Sequence, residues 1–375
     1  MKAKKIFLFG YYGWKNVGDD FMLYILLKEI DLINSGVEYT ILSLDPPQIP
    51  PEVQEKTRFV KPNILIALKE IARSSIFIVG GGTHISDYGN KFKSFKMLFR
   101  LLIIIFYTKF FGKNIYLINN GIGPLITTYG NILGWLICCM SSYISVRDQF
   151  SYNILKKWKM DDKSSLSFDL AVLAEPSYTR RLSSDQILGI SITPVFEIYH
   201  ASPEKDLLLV EQVSKCANRW LETKTNSKIY LFIFHGESKD DDVSITRLLN
   251  SKLINPNRVE TIKYNSNPEN VLNKVNECSA FIGMKYHSCV FAYMCDVPLL
   301  LIEYHPKCRY FAEEVELPNE AIVSLEEVLS NSIEKRFENF ISFPGRYIAR
   351  LSLNEARNRA KRPFLEGIFY ENISS

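Results

Sequence analysis

Two Rossmann-like α/β domains facing each other across a cleft are what the sequence predicts, and three observations carry that reading. The first half repeats one pattern: a short apolar run, a glycine-rich turn, then a helix-compatible stretch, which is how parallel βα units are written. After a polar stretch near residue 180 the pattern starts again. A chain of 375 residues with 47% hydrophobic side chains is also long and apolar enough to build two full cores.

Taken in order, residues 6–9 (IFLF) run into Gly10-Tyr11-Tyr12-Gly13-Trp14-Lys15-Asn16-Val17-Gly18-Asp19-Asp20. Residues 21–30 follow with helical spacing, and Asp19 or Asp20 is placed to cap their start. Residues 39–44 read as a second strand, stopped by Pro46-Pro47. Residues 76–79 run into Gly80-Gly81-Gly82, and residues 115–118 into Asn119-Asn120-Gly121-Ile122-Gly123-Pro124. Three strands thus end in turns expected to bring bare backbone N–H groups to one sheet edge. Past Phe168-Asp169 the chain turns polar through Glu175-Pro176-Ser177 and residues 180–185, the expected interdomain linker. Strands are then expected at 188–193, 228–234, 259–262, 280–283 and 298–303, with helices between them at 205–223 and 268–277. The resulting division is 1–175, 186–330 and a charged helical tail, 331–375.

Composition removes several classes of function. Lys plus Arg number 45 against 41 for Asp plus Glu, a net charge of +4, far from the basic density of a nucleic-acid binder. The seven cysteines are scattered and never form C-x-x-C, which argues against a disulfide scaffold and a zinc module and fits a reducing cytoplasm. Residues 6–9 are too short a run for a secretory signal. The most apolar segment, 101–107, is hemmed in by Lys93, Lys96, Arg100 and Lys109, so a membrane-spanning stretch of roughly 20 apolar residues is missing. From Tyr88 through Arg147 there is no Asp or Glu, while lysines punctuate residues 91–113. Such a basic, Phe-rich segment fits contact with an anionic membrane surface, and equally a buried helix with surface lysines.

Chemistry concentrates at three places. The glycine turns match neither G-x-x-x-x-G-K-[ST] nor G-x-G-x-x-G, so nucleotide hydrolysis and dinucleotide binding lack their usual sequence support. Gly283-Met284-Lys285-Tyr286-His287-Ser288 follows an apolar strand and opens an apolar helix. A cation and an imidazole there run against the helix dipole, and a bound anion would resolve the conflict. Alone, the motif is equally compatible with a solvated Lys285 and a capping or core His287. Glu303-Tyr304-His305-Pro306-Lys307 ends the next strand, so His305 or Lys307 is placed to add to an anion site. Ser145-Val146-Arg147-Asp148 offers a guanidinium from the first half, or simply a surface Arg–Asp pair.

The ordered set Gly10…Asn16-Val17-Gly18-Asp19, Gly80-Gly81-Gly82 with Asp87, Asn120-Gly121-Ile122-Gly123-Pro124, Ser145-Val146-Arg147-Asp148 with Ser151, Asp169, and Gly283-Met284-Lys285-Tyr286-His287 with Ala292, Pro298, Tyr304 and Lys307 resembles the polysaccharide pyruvyl transferases. The resemblance spans about residues 5–310. It implies a GT-B-like fold and transfer of the enolpyruvyl unit of phosphoenolpyruvate to two hydroxyls of a sugar as a cyclic ketal, with release of phosphate. It implies donor contacts from Arg147, Lys285 and His287, and at position 285 the family usually has Arg, whose planar fork Lys lacks.

Within that reading His287 is the candidate general acid for the methylene carbon. Asp87 is the candidate base or holder of an acceptor hydroxyl. Asn16, Gly82, Asn120, Gly121, Tyr304 and Lys307 line the substrate. No metal and no cofactor are expected, phosphoenolpyruvate being a co-substrate. The expected acceptor is a hexose in a polyprenyl-diphosphate-linked repeat unit, met in the cytoplasm at the inner face of the cell membrane, with no nucleic acid involved. The rivals are a GT-B glycosyltransferase using a nucleotide sugar and a non-catalytic member of a polysaccharide-assembly complex.

Overall fold

The computed structural model describes residues 4–176, 186–200, 202–224, 226–236, 241–330, 333–365 and 367–374. The chain divides into two compact units, one comprising Met1–Trp14, Asp19–Leu173 and Asn354–Ser375, the other Lys15–Gly18 and Ala174–Leu353.

In chain order the first half holds β1 (Lys4–Tyr12), α1 (Val17–Ile33), β2 (Val37–Ser43), β3 (Thr57–Val60), α2 (Ile64–Arg73), β4 (Ile76–Gly80), α3 (Lys91–Phe110), β5 (Asn114–Asn120), α4 (Thr128–Met140), β6 (Tyr143–Val146), α5 (Gln149–Lys157) and β7 (Ser164–Leu166). The strands form one parallel sheet in the order β3-β2-β1-β4-β5-β6-β7. Order 3-2-1-4-5-6 is the doubly wound arrangement, whose ligand edge lies where the strand order reverses, here between β1 and β4. All five residues of β4 are buried, as expected of a central strand covered on both faces. In the core Phe7 pairs in register with Phe77, and their rings stack at 5.8 Å.

Short polar side chains start the helices by accepting otherwise unpaired N–H groups: Asn63 for α2, Asn90 for α3, Thr127 for α4 and Asp148 for α5. The expected cap of α1 differs. That helix begins at Val17, so Asp19 and Asp20 fall in its first turn, and Asp20 Oδ1 instead accepts the Gly13 N–H at 2.7 Å.

The second half holds β8 (Gln186–Ser191), α6 (Val195–His200), α7 (Pro203–Thr223), β9 (Ser227–Phe232), α8 (Val243–Ser251), β10 (Val259–Ile262), α9 (Pro268–Asn276), β11 (Ala280–Gly283), α10 (Tyr286–Met294), β12 (Leu299–Glu303), α11 (Pro306–Glu314), β13 (Ile322–Ser324), α12 (Leu325–Val328) and α13 (Ile333–Ser342). Its parallel sheet runs β10-β9-β8-β11-β12-β13, the same topology, with the reversal between β8 and β11.

Strands β3, β7 and β13 escape the sequence reading; the latter two are only three residues long, too short to carry an apolar signature. The segment 177–185 within the expected linker lies outside the described residues.

The tail beyond 331 is not a separate body. Residues up to Leu353 belong to the second unit, and α14 (Leu353–Leu365) with α15 (Gly367–Ser374) returns to the first. Pro363 inside α14 cannot donate to the Arg359 carbonyl, and the Ser167 hydroxyl donates to that oxygen at 3.0 Å in its place. Asn119 Nδ2 donates to Ala360 O at 3.1 Å, and Arg357 Nε to Val172 O at 2.9 Å.

Candidate active site

In the second unit the strand-reversal edge gathers the ends of β8, β11 and β12. The Met284 N–H donates to Ser191 O at 2.9 Å, joining the exits of β11 and β8. Residues 15–18 belong to this unit: Val17 N donates to Phe234 O at 3.0 Å, Gly236 N donates to Lys15 O at 3.1 Å, and Asn16 bridges His235. Asn16 Oδ1 accepts the Gly18 N–H at 3.2 Å, an Asx turn that shapes the loop. Against Gly18 lies the imidazole of His287, so close that a Cβ on Gly18 would sit 1.8 Å from Nδ1. Gly18 is therefore the residue that leaves room for the ring against the backbone.

Lys285 stands immediately before α10, with Nζ 3.2 Å from Asp242 Oδ1. Asp242 is fully buried, and its Oδ2 accepts the His235 N–H at 2.9 Å. Burial pushes this carboxyl above its usual range, against the opposing pull of the Lys285 charge and of hydrogen bonds from Thr193, Lys285 and the His235 N–H. The anion that balances a cation at this helix start thus comes partly from the protein itself.

At the end of β12, His305 caps α11 by accepting the Lys307 N–H on Nδ1 at 3.1 Å. The Lys307 ammonium lies 5.9 Å from the Tyr286 ring centroid and 5.6 Å from that of Tyr304, within cation–π range. Burial raises the Tyr304 phenol well above its usual range, so it stays a neutral hydrogen-bonding group.

The corresponding edge of the first unit collects the glycine turns, but their N–H groups are not bare. Gly81 N donates to Ile118 O at 2.9 Å, Gly121 N to Gly82 O at 2.8 Å, and Gly123 N to Ile85 O at 2.7 Å, so the turns zip to one another. Gly82 N points at Met22 Sδ, 3.4 Å away. Gly81 and Gly82 both take positive φ, which suits glycine. Asn120 is a structural residue here, its Nδ2 donating to Val79 O at 2.8 Å and Ile118 O at 3.0 Å.

Arg147 is no surface pair. It is buried, donating from Nη1 to Asp169 at 3.0 Å and from Nη2 to Thr83 Oγ1 at 2.9 Å. Its guanidinium lies where a Cβ on Gly121 would approach Nε to 3.1 Å, so that glycine makes room for it.

Asp87 differs from the expected role at an acceptor hydroxyl. It is completely buried, one oxygen accepting the Ile126 N–H at 2.6 Å and the other the Thr127 N–H at 2.8 Å, with the Thr127 hydroxyl also upon it. Both oxygens are occupied by the start of α4, and the carboxylate is a structural brace.

Lys285, His287, Tyr304 and Lys307 therefore gather at one edge of the second unit, with Asn16 in the loop that carries Gly18. Gly82, Gly121, Asn120 and Arg147 gather at one edge of the first. Asp242, Thr193, His235, Thr83 and His84 were not singled out from the sequence, because nothing local marks them. Among the described residues no three His, Cys, Asp or Glu side chains come together as metal ligands.

His84 carries a pH dependence. Burial, and next the Arg147 charge, push its imidazole down to about 4. An unfolded histidine titrates near ~6.5. Between these values the unfolded chain binds more protons, so the stability linked to His84 is full above about pH 6.5 and is lost as the pH falls through about 4. Urea unfolding between pH 4 and 7 is expected to show His84→Gln losing less stability than wild type on acidification, by up to about 3 kcal/mol. Identical slopes for the two proteins would contradict this assignment.

Two doubly wound parallel sheets, each with its own reversal edge, define an α/β protein with a GT-B-like fold. Solved structures with this fold include a putative UDP-N-acetylglucosamine 2-epimerase from Listeria monocytogenes (12% identity, 97% of this chain and 95% of that one, TM-score 0.62). They also include UDP-GlcNAc 2-epimerase from Methanocaldococcus jannaschii (12%, 96% and 98%, 0.58) and sucrose-phosphate synthase from Thermosynechococcus elongatus (11%, 99% and 96%, 0.54). At such identities the likeness concerns the fold alone. The chain belongs to the polysaccharide pyruvyl transferase family, whose model matches residues 16–306, and it is accordingly a transferase. No curated protein matches the sequence.

Proposed function

We propose that the protein moves the enolpyruvyl unit of phosphoenolpyruvate onto two hydroxyls of a hexose, closing a cyclic ketal and releasing inorganic phosphate. The observation that carries this reading is the cluster of Lys285, His287 and Lys307 at the starts of α10 and α11, in a chain of this family. Phosphoenolpyruvate carries a carboxylate and a phosphate, and two lysines beside two helix N-termini answer that charge. Lys285 is steadied by Asp242, and Lys307 by the faces of Tyr286 and Tyr304.

In the proposed sequence His287 donates a proton to the methylene carbon, which becomes a methyl group as the neighbouring carbon turns cation-like. A sugar hydroxyl adds to that cation-like carbon and gives its proton back to the His287 imidazole. The C–O bond to phosphate then breaks with the electron pair leaving on phosphate, and the second hydroxyl adds, its proton going to the departing phosphate. Arg147, held by Asp169 and Thr83, is a tie within the glycine turns of the first unit. The acceptor is proposed to be a hexose of a polysaccharide repeat unit carried on polyprenyl diphosphate.

Phosphate release measured with phosphoenolpyruvate and a panel of lipid-linked or synthetic galactosides and N-acetylhexosaminides tests the proposal. The expected result is release that requires both donor and acceptor, together with a melting temperature raised by phosphoenolpyruvate and not by UDP- or CMP-sugars. Stabilisation by a nucleotide sugar alone, with no phosphate released on any acceptor, overturns it.

A further inference from the structure

Helix α3 presents two apolar faces where a helix of a soluble domain normally presents one. Ser94, Leu98, Leu101, Ile105 and Thr108 are buried in the first unit. On the other side Phe92, Phe95, Phe99, Ile103, Phe106 and Phe110 recur at spacings of three and four, and every one of them is exposed, up to 67% for Phe92, 63% for Phe106 and 78% for Phe110. At 3.6 residues per turn this stripe is centred about 145° from the buried one and runs for about 27 Å.

The same wheel places Lys93, Lys96 and Arg100 on one shoulder of the stripe and Lys91 and Lys109 on the other. The stripe is also ordered: Phe95 and Phe99 stack at 5.8 Å, Phe95 meets Tyr129 of α4 edge-on at 5.3 Å, and the Lys96 ammonium lies 4.2 Å from the Phe92 ring centroid. Helix α4, packed against α3, carries no charged residue and extends the patch with exposed Ile132 and Trp135.

We infer that this α3–α4 face is a docking surface for an anionic lipid bilayer, lying in the plane of the interface. Charge decides between occupants. No Asp or Glu occurs from Tyr88 through Arg147, so a second copy of the chain would set one basic rim against another, whereas anionic headgroups complement it. A row of phenylalanines flanked by lysines is also the arrangement of an interfacial helix, rings among the acyl chains and ammonium groups among the headgroups. The surface does not cross the bilayer: among the described residues no helix is long and apolar enough to do so.

The test uses the full chain with vesicles of phosphatidylcholine alone or mixed with phosphatidylglycerol, read by co-sedimentation, and needs no substrate. Wild type is expected to bind the mixed vesicles, to bind neutral ones at least tenfold more weakly, and to be released by salt. Phe99→Glu with Phe106→Glu should reduce binding tenfold or more. Replacing Lys93, Lys96 and Arg100 by alanine should reduce it several-fold, on the anionic vesicles only. Since all these side chains are exposed, melting temperature and turnover of a water-soluble acceptor should stay at wild-type levels. Absence of wild-type binding, or undiminished binding by the Phe-to-Glu variant, overturns the inference. So does sedimentation equilibrium showing a wild-type dimer that the same variant turns into monomers, because the face is then an interface between copies.

Discussion

His287→Ala is expected to lower phosphate release by a factor of about 10² to 10⁴, the usual contribution of a positioned general acid, which corresponds to roughly 3–5 kcal/mol of transition-state stabilisation. The loss should fall on kcat, with KM for phosphoenolpyruvate changed little, because the lysine charges that hold the donor remain. Gly18→Ala is the companion variant. Its Cβ would sit 1.8 Å from His287 Nδ1, so the ring must turn away although the histidine is still present. If placement of the imidazole matters as proposed, the glycine variant loses much of the same activity, and circular dichroism of both resembles wild type. Turnover within threefold of wild type in His287→Ala would remove the histidine from the mechanism, whatever the glycine variant does.

The second large effect concerns stability. Arg147→Met should destabilise the first unit by about 3–5 kcal/mol, because it removes the guanidinium that donates to the buried Asp169 carboxylate at 3.0 Å. The hydrogen bond that Asp169 accepts from the Ala171 N–H at 3.0 Å is untouched by the substitution. The melting temperature is expected to drop by on the order of 10 °C. The double variant Arg147→Met with Asp169→Leu should recover a good part of that, since an apolar pair removes the buried carboxylate as well. A melting temperature within about 2 °C of wild type, with weakened phosphoenolpyruvate binding instead, would make Arg147 a donor ligand and not a structural tie.

The two variants separate what kinds of information the residues carried. That Lys285, His287 and Lys307 share one edge was legible because each follows a strand within a few residues, and a strand followed by a helix start puts its next few residues at the same edge of a parallel sheet. The role of Asp87 was not recognisable. Its place after a glycine triplet looks like an active-site position, yet the carboxylate turns inward to the N–H groups at the start of α4, some forty residues on. The glycine turns were correctly placed on one edge but misjudged in function, because whether an N–H is open depends on which neighbouring turn reaches it.

By itself the sequence determined the alternation of strands and helices, the order of the βα units and the residues that stand at strand ends, since these follow from periodicity and turn chemistry over a few residues. Only the tertiary structure decided what each of those residues packs against. The packing of His287 on Gly18, the pairing of Lys285 with Asp242, the return of the last helices to the first unit and the outward phenylalanines of α3 all depend on groups that meet across long stretches of chain. Local pattern carries no record of such meetings, because long-range packing selects among many conformations that the same short segments would accept equally well.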